Sequence, residues 1–276
     1  MFNIWRQSLC LIFVFVFLSS AMAKAEPLDA AASDPNVMGW MRGFPPADDR
    51  IIGYPASDYF SFPKLRWTFC HFREIQATKR VGRGLSPVSP FSEALDPAID
   101  DVTFTPIGAT EEMTWKESLD ANYTDGMLIL HRGAIVYEYY SGCLDREGRH
   151  GAMSVTKSFV GTIAEILIAE GDLDESKLVS EYVPELEPSA FGNATVRQVM
   201  DMTTGLDYNE NYADPESDIW LYAAAGDPTP KPESYMGPRN FYEFLQGVEP
   251  KGTHGEAFIY KSINTDALAW VIARAT

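Results

Sequence analysis

Apolar residues in this chain follow two different spacings, and the change from one to the other places its main elements. Met127-Leu128-Ile129-Leu130-His131 and Ala134-Ile135-Val136-Tyr137-Glu138-Tyr139-Tyr140 are short, β-rich runs. Asp125-Gly126 introduces the first and Arg132-Gly133 joins them, which predicts a hairpin ending at Ser141-Gly142. The spacing then lengthens. Val155, Phe159, Ile163 and Ile166-Leu167 recur at helical intervals, Ala164 and Ala169 suit a helix, and Gly171 is a stop. The expectation is an apolar, buried helix with Ser154 at its N-terminal end. Residues 172–250 read as mainly helical and loop-rich. Within them Thr195 is an N-cap for Val196 to Met202, with Gly205 as the stop. Asp207 to Pro250 is polar, aromatic and broken by prolines, as loops around a cleft are. Phe258-Ile259-Tyr260 reads as a short buried segment. From Thr265 onward an amphipathic run puts Leu268, Val271, Ile272 and Ala275 on one side. Residues 26–100, rich in Pro, Gly and aromatics, form an N-terminal arm with a short helical piece around Trp67 to Gln76.

The first 25 residues differ in kind. Arg6 precedes the unbroken apolar run Leu9 to Leu18, and the small-residue sites Ala21-Met22-Ala23 and Ala23-Lys24-Ala25 follow. This is the three-part pattern of a cleavable signal peptide, with a run too short for a membrane span. It predicts a periplasmic or secreted protein with no membrane span after cleavage. Loss of Arg6 and Lys24 moves the formal charge from −17 to −19. So acidic a surface repels phosphate backbones and anionic lipid, which argues against a nucleic-acid partner. Cys70 and Cys143 remain, and an oxidising compartment allows them to pair. Four scattered histidines and two cysteines show no metal-ligand spacing, so no metal and no cofactor are expected. With 46% hydrophobic and 22% charged residues, the chain is a folded one of one large or two modest domains.

The candidate chemistry lies in Ser154-Val155-Thr156-Lys157. Residues three apart on a helix share a face, so a hydroxyl nucleophile and an amine base point into one cleft. A helix N-terminus favours developing negative charge, and a desolvated lysine is disfavoured as a cation, which suits attack on an acyl carbon. Taken alone, the motif is matched evenly by an N-cap serine followed by a solvated lysine. A second match, Ser61-Phe62-Pro63-Lys64, has no helical run behind it and reads as arm or loop. Tyr260-Lys261-Ser262-Ile263-Asn264 adds a phenol able to relay a proton, just before the last helix. A Ser-His-Asp hydrolase fits poorly: Ser154 sits in Gly151-Ala-Met-Ser-Val, not in a G-x-S-x-G elbow. His150 and His254 read as loop caps or surface hydrogen-bonding groups. Trp67, Trp115, Trp220 and Trp270 read as packing residues, with Trp220 and Tyr222 near enough to Tyr212 to line a pocket.

In this order the motifs resemble those of the β-lactamase-related serine hydrolases, the SxxK superfamily that includes class C β-lactamases and DD-peptidases. Within it they are similar to the 6-aminohexanoate-dimer (nylon-oligomer) hydrolase branch. The residues that carry the resemblance include Gly43-Phe-Pro-Pro46, Arg66 to Glu74, the hairpin, His150 to Ser158, and Tyr182 to Leu186. Thr195 to Arg197, Asp201 to Leu206, Asn211 to Pro215 and Phe258 to Asp266 continue it. The resemblance implies an α/β (α+β) fold, with an antiparallel sheet flanked by helices and an inserted, mainly helical domain. It divides the chain into signal peptide 1–25, arm 26–104, first part of the catalytic domain 105–171, helical domain 172–250, and a return to the catalytic domain at 251–276. It implies Ser154 as the acylated nucleophile, Lys157 and Tyr260 as the proton-transfer pair, and Ser262 hydrogen-bonding within that network. Tyr212 would line the substrate pocket, and the Ser154 N–H would be one oxyanion donor. The substrate is then a small ester or amide. Ser262 stands where class C β-lactamases carry asparagine, which favours the esterase and amidase branch. The superfamily's third motif, a Lys-Thr-Gly or His-x-Gly strand, has no counterpart before Thr276. The expectation is therefore a partial chain without the C-terminal strands, weakly active by itself. The non-catalytic alternative is a ligand-binding pseudoenzyme of the same fold.

Overall fold

Two buried clusters organise the computed structural model, which describes residues 27–53, 58–82, 84–227 and 231–276. The expected signal peptide, residues 1–25, lies outside the described residues. The first cluster belongs to the arm, where Trp40, Ile52 and Trp67 pack together. In chain order the elements up to the hairpin are α1 (Pro35–Met38), α2 (Leu65–Ile75), β1 (Ser92–Glu93), β2 (Thr103–Phe104), β3 (Met113–Thr114) and α3 (Trp115–Ala121), with Met38 of α1 and Ile75 of α2 packed against the cluster. Thr114 starts α3 through a reciprocal capping box with Glu117. The hairpin follows as β4 (Gly126–His131) and β5 (Ala134–Tyr140). Its turn residues Arg132 and Gly133 both have positive φ, 51° and 81°, the backbone that lets a two-residue turn match strand twist.

The sheet holds the expected antiparallel pair and adds one short parallel edge. β4 and β5 are antiparallel, but β1 lies parallel along the other side of β5, giving the order β1-β5-β4. β1 arrives from the arm through a long connection, not a hairpin turn, so nothing forces it to reverse direction. Just beyond β5, Cys143 is disulfide-bonded to Cys70 of α2. That bond fixes the start of the segment leading to Ser154.

The larger cluster is helical. After a 3-10 turn at Met153–Val155 come α4 (Thr156–Glu170), α5 (Val179–Tyr182), α6 (Val196–Met200), α7 (Asp218–Gly226), α8 (Phe241–Gln246) and α9 (Ile263–Ala275). Val179, Leu186, Phe191, Val196, Val199, Leu206, Leu245, Ile263 and Val271 are nearly or wholly buried. Burial of each such side chain stabilises by about 1.5–3 kcal/mol. Leu268 and Val271 face this core with Ile272 and Ala275 packed against it, as the amphipathic pattern requires. Among the described residues no helix is long and apolar enough to cross a membrane.

Three local expectations change. α6 ends at Met200, because Asp201 caps it and Met202 turns left-handed at φ 52°, so Gly205 is not its stop. Gly205 instead lets the chain pass close to Gly252, where an added Cβ would lie 2.8 Å from backbone. α4 is not buried all round. Ala164 and Leu167 reach the core, whereas Phe159, Ile163 and Ile166 are 66%, 48% and 50% exposed on another face. Phe258-Ile259-Tyr260 is likewise exposed, held as an open segment by the Ile259 N–H donating to the Met202 carbonyl.

Candidate active site

Ser154 lies in the 3-10 turn that runs directly into α4, and Lys157 is in the first turn of the helix. That continuity puts the two side chains on one face, and Lys157 Nζ donates to Ser154 Oγ at 3.1 Å. Tyr260 comes from 106 residues away, three residues before the start of α9, and its hydroxyl donates to the same Oγ at 2.8 Å. Lys157 Nζ stands 5.1 Å from the centre of the Tyr260 ring. Burial by itself raises the Tyr260 phenol; hydrogen bonds to Lys157 and Ser154 and the lysine's charge outweigh it, leaving the phenol below its ordinary value. An acidified phenol in a 2.8 Å contact with a hydroxyl can pass a proton in either direction.

The turn that presents Tyr260 is held from beneath. Lys261 is buried, its Nζ donates to the Leu206 carbonyl at 2.5 Å, and burial pushes its amine down. Asn264 accepts from the Thr204 hydroxyl at 2.7 Å in the interior. Ser262 gives both its N–H and its hydroxyl to Glu210, each at 2.6 Å. Glu210 also accepts from the Tyr212 hydroxyl at 2.8 Å. One carboxylate thus joins the Tyr260-x-Ser262 turn to the loop carrying Tyr212. The structure brings together Ser154, Lys157 and Tyr260, and places Ser262 and Tyr212 beside them through Glu210.

Sequence reasoning missed Glu210. It belongs to a polar loop without periodicity, and its partner Ser262 is 52 residues away. The only available signal was its place two residues before Tyr212. Tyr212 is 61% exposed and meets Trp220 edge-on at 6.0 Å, so both rings form an open wall. Tyr222 instead turns inward and hydrogen-bonds Asp266 on the first turn of α9, whose carboxyl is raised mainly by burial.

The competing residues are engaged elsewhere. Ser61 donates to the Asp58 carbonyl and Lys64 pairs with the Asp58 carboxylate, so that motif serves the entry to α2. His254 accepts from the Gly205 N–H and holds Asn193, a loop-fixing role. His150 pairs with buried Asp125, which raises its imidazole, chiefly through that hydrogen bond. Among the described residues no group of three or more His, Cys, Asp or Glu side chains could hold a metal ion.

The β-lactamase family profile matches residues 119–276, which include the whole site. A 6-aminohexanoate-dimer hydrolase of Paenarthrobacter ureafaciens is 36% identical over 233 residues, covering 81% of this chain and 54% of the relative. A β-lactamase of Providencia stuartii is 43% identical over 53 residues, 19% of this chain and 14% of that protein. A solved structure named as a 6-aminohexanoate-dimer hydrolase from Bacillus anthracis superposes with a TM-score of 0.70 at 32% identity, covering 79% of this chain and 56% of that one. The chain spans about half the length of these hydrolases. With more than half its length matched, and the serine, lysine and tyrosine gathered within that span, the chain belongs to the β-lactamase family of serine hydrolases.

Proposed function

We propose that the protein cleaves an ester or amide bond of a small molecule through an acyl-enzyme on Ser154, as a carboxylesterase or amidase, not a β-lactamase. The observation that carries this is the convergence of Lys157 Nζ and Tyr260 Oη on one serine oxygen. In the first half-reaction the Ser154 proton passes to the Tyr260–Lys157 pair while Oγ attacks the carbonyl carbon. The tetrahedral oxyanion takes a hydrogen bond from the Ser154 N–H. Collapse breaks the bond to the alcohol or amine, which leaves with the proton from the pair. Water, giving a proton to the same pair, then attacks the acyl carbon; collapse breaks its bond to Oγ, the proton returns to Ser154 and the carboxylic acid leaves. Ser262 in the Tyr-x-Ser position, with its hydroxyl committed to Glu210, supports the esterase and amidase reading. The relatives named for 6-aminohexanoate-dimer hydrolysis support a small-molecule substrate.

Fluorophosphonate labelling with peptide mapping, on the full gene product, tests this. An adduct on Ser154 is expected. No adduct on a folded protein would move the reading to a non-catalytic binding protein, and an adduct on Ser61 would relocate the site. The leader pattern of residues 1–25 and the Cys70–Cys143 bond support a periplasmic or secreted location. Recovery of a mature protein starting near Glu26 from the exported fraction checks it. The exposed apolar faces of α4 (Phe159, Ile163, Ile166) and β4 (Leu128, Leu130) support weak turnover by residues 26–276 alone. Equal turnover by those residues and by the full gene product would contradict that.

A further inference from the structure

The backbone three residues ahead of Ser154 is fixed by groups from the N-terminal arm. The Gly151 N–H donates to the Phe69 carbonyl at 2.7 Å. A Cβ on Gly151 would lie 2.2 Å from Phe72 Cε2 and 3.0 Å from Cδ2. Gly151 lies outside the left-handed region, so the need for glycine there is one of space, not of backbone conformation. His150 Nε2 is 3.1 Å from Asp125 Oδ2, and the other oxygen of that carboxylate accepts from Arg66 at 3.2 Å, with both Asp125 and Arg66 buried. Cys143, at the start of the same segment, is bonded to Cys70. Arg66, Phe69, Cys70 and Phe72 all belong to α2.

Lys157 and Tyr260 take their positions from elsewhere. Lys157 rides on α4, and Tyr260 precedes α9, the two helices packed together in the larger core. Ser154 is the joint between the arm-held segment and the core-held helix. Met153, left-handed at φ 44°, opens the turn that carries Ser154, two residues after the clamped Gly151. The direction of the serine side chain therefore depends on where Gly151 is held.

We infer that α2 braces the nucleophile, acting through close packing of Phe72 on Gly151. Both are positioning residues: neither touches the reacting atoms. The inference rests on the reading of Ser154 as the acylated residue and adds to it a device outside the serine, lysine and tyrosine. Misplacing a reacting group by about 1 Å can slow the reaction by about 10²-fold.

The test is fluorophosphonate inactivation of the full gene product, resolved into a maximal rate and an inhibitor affinity, on wild type, Gly151→Ala, Phe72→Ala and the double variant. Gly161→Ala is the control, because a Cβ there meets open space on the same helix as Lys157. Gly151→Ala is expected to lower the maximal rate about tenfold with affinity unchanged, and to cost nothing further once Phe72 is alanine. A wild-type rate in Gly151→Ala overturns the inference. So does an equal loss with and without the Phe72 ring. If circular dichroism shows Gly151→Ala unfolded, His150→Gln removes one clamp without crowding. It should lower the maximal rate about threefold, and a wild-type rate there overturns the inference equally. Absence of label on wild-type Ser154 overturns the acyl-enzyme reading and this inference with it. A labelled wild type with indifferent variants overturns this inference alone.

Discussion

Tyr260 is the residue on which the proposed proton transfer turns. Its phenol lies below the ordinary tyrosine value despite burial, so its ionised form is reached at a lower pH than in a free side chain. The acylation rate of the wild type should rise as pH climbs through that lowered value. Tyr260→Phe should lose this alkaline limb and fall by about 10²–10⁴-fold, the usual contribution of a positioned general base. A pH profile of fluorophosphonate labelling measures both. A slope unchanged in Tyr260→Phe would assign the proton to Lys157 alone. Glu210 acts one step further back. Glu210→Gln keeps the shape but removes the charge that holds Ser262 and Tyr212. A charge-assisted hydrogen bond contributes about 1.5–3 kcal/mol, so a drop on the order of tenfold in acylation is expected. Tyr212→Phe deletes one of Glu210's contacts and spares Ser262, so its maximal labelling rate should stay close to wild type. Equal effects of the two substitutions would show that Glu210 serves the open wall and not the Tyr260 turn.

At the level of elements, what could be read from the sequence depended on periodicity. The β4–β5 hairpin was legible because two β-rich runs flank the turn residues Arg132-Gly133, and α9 because its apolar residues repeat at helical spacing. α4 was legible as a helix but not in its burial. Spacing shows which residues align on a face, not whether that face finds a partner, and Phe159, Ile163 and Ile166 lie outside the core. β1 carries two residues, too few for a pattern, so its parallel pairing had no signal. In the site, Ser154, Lys157 and Tyr260 were legible through motif order. Glu210 was not, because loop contacts across 52 residues leave no trace in local spacing. The tie between His150 and Asp125, at the entry to β4, makes a prediction on this scale. The folded chain favours the protonated imidazole, so the stabilising contribution is complete below about pH 6.5 and is lost as pH rises through the higher folded value. His150→Gln should flatten that part of the stability-versus-pH curve, measured by urea unfolding at a series of pH values. A curve of unchanged shape would show that the pair contributes nothing to folding.

At the scale of the whole molecule, the arm cluster of Trp40, Ile52 and Trp67 is small beside the helical core, and the covalent tie between Cys70 and Cys143 offsets that imbalance. The bond spans 73 residues and encloses β1 to β5 and α3, which contribute little to the larger core. Closing a loop of that size in the unfolded chain removes entropy equivalent to about 4 kcal/mol in the chain-entropy description. Cys70→Ser/Cys143→Ser should accordingly lower the thermal midpoint on the order of 10 °C. The loss should be uneven. Hydrogen exchange should accelerate first at amides of α2 and the β4–β5 hairpin, while those of α6 and α9 keep their protection, since their contacts lie within the other cluster. Exchange that rises equally in both clusters would mean that the arm and the helical core unfold as one cooperative unit. In that case the disulfide would serve the stability of the molecule as a whole, not the anchoring of its arm.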